Sequence, residues 1–93
     1  MEENIGIHAL IKGRVQGVFF RKETQKQANA RHVRGWVKNR ADGSVEAVFE
    51  GKRQDVCDLV RWCEQGPPAA DVTQVQTTEM PYTGAFTGFA IDY

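Results

Sequence analysis

Two glycines and an arginine recur at four-residue intervals in Gly13-Arg14-Val15-Gln16-Gly17-Val18-Phe19-Phe20-Arg21, just ahead of a run of helix-forming residues. A loop of this kind can hold phosphate. Backbone N–H groups in a glycine-permitted concave turn and at a helix start point at an anion, and the helix dipole adds to the attraction. Arg21 can grip two phosphate oxygens with its planar fork. The expected phosphate contacts are the backbone amides of Val15, Gln16, Gly17, Val18, Phe19, Phe20 and Arg21. No Lys-Ser or Lys-Thr pair follows the second glycine, so the loop is not the kind that binds nucleoside triphosphate with magnesium. Glycine-containing loops between strand and helix are common, and spacing by itself does not establish a phosphate site.

A second candidate is Asn39, ahead of the turn sequence Ala41-Asp42-Gly43-Ser44. A strand-end amide often only satisfies its own turn. Its functional reading depends on topology: if the strands lie close, Asn39 stands near the phosphate loop. There its amide can accept from and donate to a water, orienting it in line with phosphorus without exchanging a proton itself.

Other arrangements are missing. Cys57 lacks an arginine six residues on, where Cys63 stands, so the thiolate-phosphatase pattern fails. His8 alternates along a strand and His32 closes a helix, where a cation suits the dipole; structural roles are expected for both. The scattered His and Cys do not form a zinc spacing. Asp55 and Asp58 read as solvated helix charge. A site with an arginine, backbone donors and an amide, and no evident acid, base or nucleophile, suits a leaving group that departs unaided. Carboxylate is one, since its conjugate acid has a pKa of about 4, whereas an alkoxide needs a general acid. The residues therefore point to acyl phosphates, with no metal or cofactor.

The elements that must position these groups follow from periodicity. Ile5, Ile7, Ala9 and Ile11 alternate with Gly6, His8, Leu10 and Lys12, the period of a strand with one buried face. Residues from about Arg21 to His32 favour a helix with a thin apolar stripe. Val33 to Arg40 reads as a strand, and Asp42-Gly43 signals a two-residue type I′ hairpin into Val45, Ala47 and Phe49. Val56, Leu59, Val60 and Cys63 line one face of a second helix that should stop near Gly66-Pro67-Pro68. Val72 to Thr78 favours a strand, Pro81 to Gly84 a loop, and Phe89, Ile91 and Tyr93 alternate in a last short strand. The expected fold is α+β: a ferredoxin-like βαββαβ sandwich with an additional C-terminal strand and both helices on one face of the sheet.

Composition sets the class. The chain has 93 residues, 41% hydrophobic and 26% charged, which fits one globular domain over 1–93. Twelve basic and twelve acidic residues cancel, which argues against nucleic acid as a partner. The start, Met1-Glu2-Glu3-Asn4, does not read as a secretory signal, and no apolar run nears the roughly 20 residues of a membrane span. Cys57 and Cys63 lie about 240° apart around one helix and cannot pair. Reduced thiols suit a cytoplasmic location.

At two segments the chain resembles the acylphosphatase family. Gly13 to Arg21 is similar to its first signature, and Gly35-Trp36-Val37-Lys38-Asn39-Arg40-Ala41-Asp42-Gly43-Ser44-Val45-Glu46 to its second. The similarity covers nearly the whole chain except the stretch from Thr77 to Gly88. The resemblance implies that the loop amides and Arg21 bind phosphate, that Asn39 orients the attacking water, and that a monomer hydrolyses carboxyl phosphates to carboxylate and orthophosphate without metal. Phe19 stands where many bacterial members have glycine, and Phe-Phe-Arg is the form associated with animal members; the change is expected to alter the pocket's shape without removing a catalytic group. Two rivals remain: a ferredoxin-like binding module, faintly echoed by Arg34-Gly35-Trp36-Val37 but opposed by zero net charge and no evident exposed aromatic pair, and an idle relative of a carbamoyl-phosphate-handling domain, opposed by the lack of extra domains.

Overall fold

A computed structural model describes residues 3–92. The elements are β1 (Asn4–Arg14), α1 (Phe20–Ala30), β2 (Arg34–Asn39), β3 (Val45–Lys52), α2 (Arg53–Gln65), β4 (Asp71–Met80) and β5 (Phe89–Asp92). They form one five-stranded sheet in the order β4-β1-β3-β2-β5. All neighbours are antiparallel except β2 and β5, which run parallel and make the sheet mixed. This is the ferredoxin-like sandwich that the element order predicts. Tyr93, expected to extend the last strand, and Met1 and Glu2 of the acidic start lie outside the described residues.

The alternation of β1 and β3 sets the core. Ala9 faces Ala47 and Ile11 faces Val45 across the central pair, and all four are buried with Val37 of β2 and Phe49 of β3. α2 closes this face with Val56, Leu59 and Cys63, the stripe read from its periodicity. Each large side chain so buried contributes about 1.5–3 kcal/mol. Phe20 packs on Trp62 with ring centroids 5.7 Å apart, and Phe49 stacks on Phe89 at 5.9 Å. Burial pushes the Cys63 thiol up to about 12, so it serves as a small apolar filler.

Three local expectations are corrected. α1 ends at Ala30 and does not reach His32, because the Val33 N–H donates back to the Ala28 carbonyl at 2.9 Å. His32 takes a left-handed φ of 56° just beyond the helix and terminates it. The β2–β3 connection is not a two-residue type I′ turn. Gly43 N–H donates to the Arg40 carbonyl at 3.2 Å and Arg40 N–H to the Ser44 carbonyl at 2.8 Å. Only Gly43, at φ 92°, has positive φ in this turn, so a type I turn with glycine in the following left-handed position makes the reversal. Third, β4 runs to Met80, past the expected Thr78, because its backbone pairs with β1 from Gly6 to Arg14; ladder hydrogen bonds hold a strand whose side chains are mostly exposed.

The crossover from β4 to β5 holds a feature that sequence reasoning missed. Glu50, on the face of β3 away from the helices, is only 3% exposed. Its carboxylate accepts from Thr83 N–H at 3.1 Å, Gly84 N–H at 3.1 Å and Thr83 Oγ1 at 2.9 Å. Hydrogen bonds of this number let a carboxylate be buried. The contact fixes the segment that delivers β5 to the sheet edge.

Candidate active site

The loop between β1 and α1 is held by alternate side chains. Val15, Val18 and Phe20 are buried in the core, which pins the backbone and leaves the residues between them outward. Gly17 has φ 74°, and a Cβ there would meet nothing within 4 Å, so the position requires glycine for conformation and not for space. Among the described residues no backbone carbonyl accepts from the N–H groups of Gln16, Gly17, Val18 or Phe19. α1 begins at Phe20 with no side-chain cap, so its first-turn N–H groups add to the same donor cluster. Such a concave set of donors suits an anion.

Gln16 turns away from this cluster. Its Nε2 donates to the Arg40 carbonyl at 2.8 Å and to the Ser44 carbonyl at 3.0 Å. One amide group thus ties the loop to both ends of the β2–β3 turn. Asn39 is the last residue of β2. β1 and β2 are not neighbours, but both pair with β3, and this spacing sets the β1–α1 loop and Asn39 on one rim.

A cavity of about 460 Å³ opens between them, lined by Val15, Gly17, Phe19, Arg21, Asn39 and Ile91 among others. Lys22 and Gln25 also border it, and among the described residues that line it none carries a carboxylate, so these residues make a locally cationic wall in a chain of zero net charge. Arg21 sits in the first turn of α1 and its guanidinium donates to the Asp92 carbonyl at 3.2 Å. β5 therefore supplies both a wall, Ile91, and a brace for the arginine, neither of which had a signal in the sequence. Asn39 Oδ1 is buried and has no hydrogen-bond partner among the described residues. A buried acceptor left unmade costs about 1–3 kcal/mol, and the residue that carries it lines the cavity together with Arg21.

Of the residues named from the sequence, Val15, Gly17, Phe19, Phe20, Arg21 and Asn39 come together around this cavity. The side chains of Gln16 and Val18 do not join them, one being turned to the hairpin and the other to the core. His8 and Glu46 lie elsewhere on the sheet. His8 Nε2 hydrogen-bonds Glu46 Oε2 at 2.7 Å, and this bond, with Lys38 and Arg40 nearby, holds the Glu46 carboxyl below its ordinary value. Asp42 is lowered likewise by hydrogen bonds from the Ser44 side chain and backbone. Both groups brace the hairpin behind Asn39. Among the described residues no three His, Cys, Asp or Glu side chains gather where a metal ion could sit.

The family model for Acylphosphatase matches residues 7–91. An acylphosphatase of Pelotomaculum thermopropionicum is 57% identical over 86 residues, 92% of this chain and 94% of the relative. One from Syntrophus aciditrophicus is 51% identical over 87 residues, 94% of this chain and 91% of its own length. The crystal structure of acylphosphatase from Bacillus subtilis superposes with a TM-score of 0.92 at 37% identity, covering 96% of this chain and 99% of that one.

Proposed function

The chain belongs to the acylphosphatase family and is an acyl phosphate hydrolase; from that premise we propose that the loop amides of Val15 to Arg21, together with the Arg21 guanidinium, hold the phosphoryl group while Asn39 orients the attacking water. The observation that carries this reading is that Asn39, whose buried Oδ1 has no hydrogen-bond partner among the described residues, lines the same cavity as Arg21. An amide oxygen held by no protein donor can turn to the cavity, take a hydrogen bond from water and direct the water's lone pair toward phosphorus. The water oxygen forms a bond to phosphorus as the bond from phosphorus to the acyl oxygen breaks. The electron pair leaves with the carboxylate, and the water's proton passes to the orthophosphate or to solvent.

The residues suit the demands of this reaction. Phosphoryl transfer through a loose transition state chiefly needs positioning and charge stabilisation, which the donor cluster and Arg21 offer. A carboxylate leaves as an anion at neutral pH, so the lack of an acid beside the cavity is no obstacle. We infer a metal-free reaction on this basis, carried out by a monomer of one domain, with cytoplasmic location supported by the free thiols of Cys57 and Cys63.

The test compares hydrolysis of an aroyl phosphate by wild type, Arg21→Ala and Asn39→Ala with excess chelator. Arg21→Ala should lose about 10²–10³ in turnover, as for loss of one oxyanion donor. Asn39→Ala should lose most of its turnover and keep its inhibition by orthophosphate. A folded Arg21→Ala with wild-type turnover, or an Asn39→Ala weakened only in phosphate affinity, would overturn the assignments.

A further inference from the structure

Phe19 is the most exposed large hydrophobic residue among those described, at 75%. It also holds a left-handed backbone, φ 64° and ψ 22°, at the N-cap of α1. That conformation is comfortable for glycine or asparagine and strained for a bulky side chain. No cap hydrogen bond comes from the residue, and its ring adds nothing to the buried core. Two separate costs thus fall on one residue without a return to the fold, and strain of this sort gathers at functional sites. Phe19 lines the same cavity as Arg21 and Asn39. Orthophosphate fills only a small part of about 460 Å³, and the remaining space must take whatever the phosphate is attached to.

We propose that Phe19 is a specificity-determining residue forming an acyl subsite, and that this chain favours acyl phosphates with an aromatic or other large apolar acyl group over those with a small one. The inference rests on the phosphate reading above, since it assumes that the phosphoryl group occupies the loop. With phosphate in the loop, the acyl end is left to the rest of the cavity, whose apolar lining includes Phe19 and Ile91 besides the buried Val15 and Phe20. A ring exposed to water gains by covering itself with an apolar substrate group. A short acyl group offers it less apolar area to cover.

The experiment measures kcat/KM for benzoyl phosphate and acetyl phosphate in wild type, Phe19→Asn, Phe19→Gly and Phe19→Tyr. Asn and Gly accept the left-handed backbone, so these variants are expected to fold. The ratio of benzoyl to acetyl kcat/KM should fall about fivefold to tenfold in Phe19→Asn and Phe19→Gly and be kept in Phe19→Tyr. The urea midpoint of Phe19→Gly should rise as strain is relieved. An unchanged ratio, including equal losses on both substrates, overturns the subsite, and a fallen urea midpoint overturns it by assigning the ring to the fold. Wild type that hydrolyses neither substrate defeats the phosphate reading instead.

Discussion

Replacing Gln16 by methionine keeps the reach of the side chain and removes the two donor bonds that join the β1–α1 loop to the Asn39 hairpin. Each such bond contributes about 0.5–1.5 kcal/mol net, so the pair is worth about 1–3 kcal/mol. The cost to the fold should lie at the low end. The Arg40 carbonyl still accepts from Gly43 N–H, and the Ser44 carbonyl from Arg40 N–H, so neither acceptor is left bare. The cost to catalysis should be larger, because Gln16 ties the loop proposed to hold phosphorus to the hairpin that carries Asn39, proposed to hold water. A misplacement of about 1 Å between reacting partners can lower turnover on the order of 10²-fold. Stopped-flow hydrolysis of an aroyl phosphate, orthophosphate inhibition and urea unfolding measured on one preparation separate the two effects. The expected result is kcat reduced about 10-fold to 10²-fold with the urea midpoint only modestly lower and orthophosphate inhibition nearly kept. Wild-type kcat, or a loss confined to orthophosphate affinity, would refute the reasoning that the bridge aligns Asn39 with the loop.

Two further outcomes follow from the supports of the site. Glu50→Ala removes the acceptor of the Thr83 and Gly84 bonds and should destabilise the chain by about 1–3 kcal/mol in urea, with faster amide exchange at Thr83 and Gly84; unchanged exchange there would contradict the anchoring role. The Glu46 carboxyl is held low in the folded state, chiefly by its bond from His8, so the unfolded state binds more protons as pH falls. Its stabilisation is full above the unfolded value of about 4.3 and fades as pH drops through the lower folded value. The difference in urea stability between wild type and Glu46→Gln should shrink below about pH 4.3, from no more than about 1 kcal/mol for a partly exposed group; parallel curves would contradict the linkage.

Much of this architecture was legible because the signals are local. The alternation of Ile5, Ala9 and Ile11 and the stripe of Val56, Leu59 and Cys63 are periodicities of single elements, and they give strands and helices directly. The gathering of the β1–α1 loop and Arg21 at one cavity was legible for the same reason, since they lie within nine residues. The turn after Asn39 was misread because Asp-Gly suits several hairpin loops, and Arg40 and Ser44 select the longer one through backbone bonds that carry no side-chain code. What the sequence did not disclose depends on distant partners. The bond of Gln16 to the hairpin spans 24 and 28 positions, that of Arg21 to β5 spans 71, and Glu50 is explained only by a segment 33 residues on. A glutamine, a carbonyl and a glutamate have no pattern that announces such meetings.

Attack on phosphorus in the loop by a water placed by Asn39 carries the water oxygen into orthophosphate, and attack on the acyl carbon carries it into the carboxylate. Hydrolysis of an aroyl phosphate in ¹⁸O-enriched water, with both products analysed by mass spectrometry after one turnover, should place the label in orthophosphate and leave the carboxylate unlabelled. Label in the carboxylate would mean attack at the acyl carbon, and would contradict the roles given to the loop, Arg21 and Asn39 together.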